Sequence, residues 1–182
     1  VWNNLRIGSV TNHVSLKDVP NSITKELVLS KIEVFYKTLQ KDFNIQYPRI
    51  AVMGLNPHHG DGGLYGKEEI DVIIPAIEEA RDKDILIFGP FSGDGFFGSA
   101  AWLKYDGILC MYHDQAMVPF KTLAIDGGVN FTAGLPVIRT APDHGTGYDI
   151  ANKNIANPDS FRHAIYLAID VLKNRNSKQT QF

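Results

Sequence analysis

A chain of 182 residues, 44% hydrophobic and 21% charged, holds enough apolar material to bury a core and reads as an ordinary soluble globular protein, which excludes a fibre, a coiled coil or a disordered segment. A net charge of −2 with scattered lysines leaves no basic footprint for nucleic acid or an anionic membrane, and no apolar run approaches the ~20 residues that span a bilayer. The single cysteine, Cys110, permits no internal disulfide and lies in an apolar run, so it reads as a small buried hydrophobe and the expected compartment is the cytoplasm.

The chain opens on Val1-Trp2-Asn3-Asn4, without an initiator Met or a signal peptide, and enters a strand-like run over 5–10 that delivers Thr11-Asn12-His13. That start is expected of a piece taken from the middle of a longer protein. After a loop capped at Asn21 or Ser22, the spacing of Val28, Ile32, Phe35, Tyr36 and Leu39 predicts one long amphipathic helix to about Asp42. A buried strand over 50–55 runs into Asn56-Pro57-His58-His59 and a loop with four glycines between Gly60 and Gly66. A helix is expected over 68–82, with Ile70, Ile73, Ile74 and Ile77 on one face and an interruption at Pro75.

A third strand over 85–88 opens into a glycine-rich loop over 89–95 that carries Asp94, and a short helix is expected over 96–105. The apolar run from Gly107 predicts a strand to His113, followed directly by Asp114 and Gln115. Four repeats of strand, polar loop and helix predict an α/β fold with a mainly parallel sheet and helices on both faces. Residues 127–140 read as one or two short strands with a turn at Gly134 or Pro136, and 143–149 as a loop. A closing helix over 160–174 should bury Phe161, Ala164, Ile165, Ala168, Val171 and Leu172, ahead of a frayed polar tail over 176–182.

His13, His58 and His113 each follow a predicted strand, and parallel strands present their C-terminal ends along one edge. Three imidazoles delivered there can converge on a divalent cation with a position left open, the pattern of a catalytic site, although each is equally at home as a hydrogen-bonded structural residue. Asp94 and Asp114 suit partners that orient the imidazoles, or bases, or plain loop caps. Lys121, Asn130 and Arg139 together suit an anionic substrate bearing phosphate or carboxylate, while singly each reads as a surface residue. Neither glycine loop matches a nucleotide-binding signature, and there is no nucleophile elbow.

Gly54-Leu55-Asn56-Pro57-His58, Met111-Tyr112-His113-Asp114-Gln115, Gly134-Leu135-Pro136-Val137-Ile138-Arg139-Thr140 and Asp143-His144-Gly145-Thr146 together closely resemble the 4-hydroxythreonine-4-phosphate dehydrogenase family of pyridoxal 5′-phosphate (vitamin B6, pyridoxine) biosynthesis. The resemblance implies a three-layer α/β/α fold like that of isocitrate and isopropylmalate dehydrogenases. It places the metal ligands on His13, His58 and His113 and the substrate contacts on Lys121, Asn130 and Arg139. The stretch from His144 to Pro158 is similar to the adenosine-binding loop of those dehydrogenases, which would set His144, Gly145, Asp149 and Asn157 around NAD; the Asp149 carboxylate would favour NAD over NADP.

The activity so implied is an oxidoreductase reaction on a CH–OH group: NAD- and metal-dependent oxidation of 4-phosphooxy-L-threonine, the product losing CO2. Zinc leads cobalt or magnesium as the cation, and Asp114, Lys121 and Asp94 are the candidates for proton transfer. The resemblance further implies a homodimer sharing each metal site, His13 and His58 from one subunit and His113 from the other, with no nucleic-acid or membrane partner. Residues 1–135 would form the metal- and substrate-binding domain, and 136–182 a segment completing another domain whose N-terminal part, with a substrate-contacting His-Thr pair, precedes this chain. The alternatives are a non-catalytic metal-dependent phosphometabolite-binding protein and a phosphoester metallohydrolase.

Overall fold

Short apolar runs bounded by glycine and turn residues become four strands: β1 (Ile7–Ser9), β2 (Ile50–Met53), β3 (Ile87–Phe91) and β4 (Gly107–Cys110). The computed structural model describes residues 1–125, 127–145 and 147–177. The strands pair in the order β1-β4-β2-β3, every pairing parallel. The central β2 and β4 are buried at each position, as strands covered on both faces must be.

The pleat divides the core in two. Ile50, Val52, Leu109 and Met111 meet Val28, Ile32 and Leu39 of α2 (Lys25–Lys41), which follows a single turn α1 (Val19–Ser22), and Ile77 of α3 (Ile74–Asp82). The alternate residues, Ala51, Met53, Ile108 and Cys110, meet Phe96 of α4 (Gly93–Gly98) and Ala116 and Phe120 of α5 (His113–Leu123). Each fully buried aliphatic side chain stabilises these layers by about 1.5–3 kcal/mol. A Cβ on Gly107 would stand 2.7 Å from Phe35 and 2.8 Å from Leu39, so its missing side chain is what lets α2 lie against β4. Beyond α5, β5 (Val129–Phe131) and β6 (Thr140–Pro142) form an antiparallel ribbon, and α6 (Asp159–Ser177) closes the described chain. No helix among the described residues is long and apolar enough to cross a membrane.

Several elements differ from the expectations in instructive ways. The long helix is capped by Thr24, whose hydroxyl accepts from Leu27 N, because Asn21 and Ser22 are consumed in α1. The helix expected over 68–82 begins as a π turn, Glu69–Ile73, so the helix changes type just ahead of Pro75, in the first turn of α3, which is where the interruption was expected. The same turn carries Glu69 into the interior at 1% exposure and leaves Ile70 outside at 46%. β3 runs on through Gly89-Pro90-Phe91, which were expected in a loop; β3 is an edge strand, so Pro90 breaks no ladder. The helix of 96–105 divides into α4 and a 3-10 turn, Ala101–Lys104.

β4 stops at Cys110, and His113 is the first residue of α5 rather than the last of a strand. Pro119 lies inside that helix and cannot donate to the Gln115 carbonyl, which instead receives the Cys110 thiol at 3.6 Å. Burial raises that thiol's pKa far above its ordinary value, in keeping with an inert core cysteine. The turn at Gly134 is present at φ 77°, but the second strand starts only at Thr140. In α6 only Ala164 and Val171 are buried; Phe161, Ile165 and Leu172 stand exposed because no element among the described residues covers them. Asn176 and Ser177 belong to α6, and the tail expected beyond them, 178–182, lies outside the described residues.

Candidate active site

The C-terminal edge of the sheet carries all three candidate histidines, and hydrogen bonds to the backbone place His13 and His113. Past β1, Thr11 donates to the Met111 carbonyl twice, from N at 3.1 Å and from Oγ1 at 2.8 Å, holding the chain beside β4 just before His13. On the β4 side, Gln115 works as a staple: its Oε1 accepts from Met111 N and its Nε2 donates to the Gly54 carbonyl, each at 2.7 Å, tying the ends of β4 and β2 together. The outcome is that the His13 and His113 rings face each other, centroids 5.8 Å apart and planes inclined by 36°. His113 Nδ1 lies 2.7 Å from Asp114 Oδ1. If that nitrogen carries the proton, Nε2 is left with its lone pair for a ligand, the arrangement by which a carboxylate orients a metal-binding imidazole.

His58 is delivered differently. His58, His59, Gly60, Asp61 and Gly62 are five consecutive residues of left-handed backbone, with φ of 51°, 46°, 86°, 44° and 66°. A non-glycine residue in that region costs roughly 1–2 kcal/mol, so this loop holds strain that something must offset. The buried Glu69 carboxylate does so: Oε1 accepts from Leu55 N and Asn56 N, both at 2.7 Å, and Oε2 from Asn56 Nδ2 at 2.9 Å. His58 itself lies 6.2 Å from the Tyr65 ring. Asp94, exposed on α4, is held below its ordinary pKa by the Ser92 hydroxyl at 2.5 Å, then by the Gly95 backbone, with a smaller attraction from His58.

Among the described residues no three metal-ligating side chains converge on one point. Within one chain the His13 and His113 rings are in proximity. Two imidazoles at this spacing, one backed by a carboxylate, fit the donor chemistry of a divalent cation of zinc type.

Asn130 and Arg139 share one face of the ribbon, since Asn130 is registered with Ala141 and Thr132 bonds back to Arg139. Arg139 Nη1 donates to Thr132 Oγ1 at 2.9 Å, and the guanidinium is otherwise open to solvent. Lys121 stands apart from that face, 3.6 Å from Asp143, in a cleft of about 1040 Å³ that His144, Gly145, Asp149 and Asn157 also line. That volume is at the upper end of ordinary ligand sites. Asn157 Oδ1 is engaged with Asp159 N at the start of α6, and Thr146 lies outside the described residues. Sequence reasoning missed Glu69, and it named Gln115 beside His113 and Asp114 without giving it a role. A second carboxylate directly behind the glycine loop was the only signal for Glu69.

The profile of the family described as pyridoxal phosphate biosynthetic protein PdxA matches residues 1–168. A protein of Bacteroides thetaiotaomicron named 4-hydroxythreonine-4-phosphate dehydrogenase is 54% identical over 177 residues, covering 97% of this chain and 49% of that protein. The crystal structure of a Klebsiella pneumoniae protein of the same name superposes with a TM-score of 0.83 at 38% identity, over 94% of this chain and 51% of that one. A terephthalate 1,2-cis-dihydrodiol dehydrogenase of Burkholderia xenovorans superposes with a TM-score of 0.73 at 29% identity, over 93% of this chain and 54% of that one. The chain thus spans about half the length of the curated relatives it matches.

Proposed function

Because the chain belongs to the pyridoxal phosphate biosynthetic protein PdxA family, we propose that it is the metal- and substrate-holding portion of an NAD-dependent 4-hydroxythreonine-4-phosphate dehydrogenase. The reaction is oxidation of the secondary alcohol of 4-phosphooxy-L-threonine to a β-keto acid, which loses CO2 to leave 3-amino-2-oxopropyl phosphate. The observation that carries this reading is the paired His13 and His113 at the sheet edge, with Asp114 behind the second ring.

His13 and His113 of one chain, joined by His58 of a two-fold partner, would hold the cation, zinc ahead of cobalt or magnesium. When bound, the cation supplies Lewis-acid polarisation at the reacting oxygen, and the nicotinamide supplies the hydride acceptor. The chain's own groups do the rest. Asp114 fixes the His113 ring. Lys121 lies two turns of α5 beyond His113, a rise of roughly 12 Å, and its long side chain would reach back toward the phosphate of the substrate. Asn130 and Arg139 take its remaining anionic oxygens from the ribbon, and the cleft at His144, Gly145, Asp149 and Asn157 takes the adenosine part of NAD. Asp114, Lys121 and Asp94 are the candidates to receive the alcohol proton. Residues 136–182 return to a second domain, which would cover the open apolar face of α6.

The Burkholderia relative carries a similar scaffold under a name without phosphate, so a phosphate preference does not follow from the fold; Lys121, Asn130 and Arg139 are the proposed phosphate and carboxylate contacts. The test is the full-length enzyme with 4-phosphooxy-L-threonine, NAD and metal. NADH absorbance is expected. Phosphate release without NADH would favour a metallohydrolase, and binding with neither product would favour a phosphometabolite-binding protein.

A further inference from the structure

We propose that Glu69 is a positioning residue for His58, acting through the left-handed loop, an inference that rests on the reading of His58 as a metal ligand. The loop from His58 to Gly62 is exposed except at Gly60, so apolar packing does not hold it. Its strained backbone turns instead around one buried carboxylate, which accepts the N–H groups of Leu55 and Asn56 and the amide of Asn56, the residues immediately ahead of Pro57-His58. Tyr65 N closes the loop on the Gly60 carbonyl at 3.1 Å.

The loop approaches Glu69 where the chain has no side chains. A Cβ on Gly54 would stand 3.0 Å from Oε1, and one on Gly60 2.7 Å from Oε2. Both carboxylate oxygens are thereby committed to the loop, so Glu69 neither ligates nor touches substrate. It converges backbone donors in the manner of an anion nest, with the anion supplied by the protein itself. Gln115 gives the same edge its second clamp by holding the Gly54 carbonyl from α5, which fixes where the loop departs from β2. The direction in which His58 points is therefore set by an acceptor that glutamine only half reproduces: its NH2 would oppose a donor.

The test uses the full-length enzyme and Co(II) as probe, with affinity read by chelator competition and the ligand field by the visible spectrum. Glu69→Gln is expected to weaken Co(II) ten- to a hundredfold and to move the spectrum toward that of His58→Ala, with the far-UV spectrum retained and the metal-free protein less stable but still folded at the assay temperature. Gly60→Ala, which forces a Cβ against the carboxylate, should do the same by an independent route. Unchanged affinity in a folded Glu69→Gln or Gly60→Ala protein, beside a loss in His58→Ala, overturns this inference alone. Unchanged affinity in His58→Ala overturns the metal reading and this inference with it. Failure of both loop variants to fold also overturns it, by making Glu69 a determinant of the fold and not of the loop.

Discussion

Arg175 clasps Asp42 across 133 residues of chain, donating from Nε to Oδ1 at 2.7 Å and from Nη2 to Oδ2 at 3.2 Å. Asp42 is the C-cap of α2 and 3% exposed, and Arg175 lies near the end of α6. The same guanidinium donates to the Pro136 carbonyl at 2.9 Å, and Asn174 Nδ2 to the Asp42 carbonyl at 2.7 Å. One buried pair thus fastens α6 and the loop before Arg139 to the sheet domain. Asp42→Ala should cost about 3–5 kcal/mol, because it strands a largely buried guanidinium. Urea unfolding of the full-length enzyme checks this, and a loss under 1 kcal/mol would show that the clasp is dispensable.

Asp94 supplies a prediction in pH. Its carboxyl is held below the ordinary 3.8 by Ser92 and the Gly95 backbone. A depressed acid contributes its interactions above the unfolded value and loses them only as pH falls through the lower folded one, so from about pH 6 to 9 Asp94 stays ionised. Asp94→Asn should therefore scale the rate by a constant factor across that window. A vanished acid limb in the kcat/KM profile would make Asp94 the general base instead.

Arg139 is anchored to the ribbon by one bond to Thr132, and its other donors are open. Arg139→Lys keeps the charge and loses the paired geometry, so KM for the phosphorylated substrate should rise roughly tenfold, as for a loss of about 1.4 kcal/mol, with Kd for NAD unmoved. An unaltered KM removes Arg139 from the substrate site.

Asp149 lines the large cleft with His144 and Asn157. Asp149→Ala should weaken NAD and narrow its preference over NADP, since a carboxylate that accepts from ribose hydroxyls also repels a 2′-phosphate. Titration with both cofactors decides this. A constant ratio of the two Kd values would detach Asp149 from the ribose.

How legible these features were follows from how local their causes are. β2 and β4 could be read because their burial on both faces leaves a continuous apolar run, and the buried residues of α2 because Val28, Ile32 and Leu39 keep helical spacing. α5 was hidden by Pro119: the thiol that serves the orphaned Gln115 carbonyl comes from another element. Glu69 was hidden because a carboxylate beside Glu68 reads as a solvated helix start, and only a π turn and the loop's inward N–H groups make it a core residue. Phe161, Ile165 and Leu172 were read as buried from periodicity, which reports that a helix has an apolar face but not what covers it. The three histidines could be placed on one edge from their positions after strands. Which two of them meet depended on Thr11 binding Met111, a contact with no sequence signature.

That pairing yields the last prediction, which rests on the proposed dimer with shared sites. If His13 and His113 come from one chain and His58 from its partner, each site needs both chains, and the two-fold axis makes two such sites. Mixing full-length His58→Ala with His113→Ala under subunit exchange makes about half the dimers mixed. Each of these holds one complete site of two, so about a quarter of wild-type activity should return. Mixing His13→Ala with His113→Ala is the discriminating experiment. With both ligands on one chain, every site draws its pair from a chain lacking one or the other, and the mixture should stay inactive. Were His13 grouped with His58 and His113 supplied across the axis, that second mixture would also recover about a quarter, and the pairing of His13 with His113 of the same chain on one ion would be wrong. Silence in both mixtures would instead place all three ligands on one chain and remove the shared site altogether.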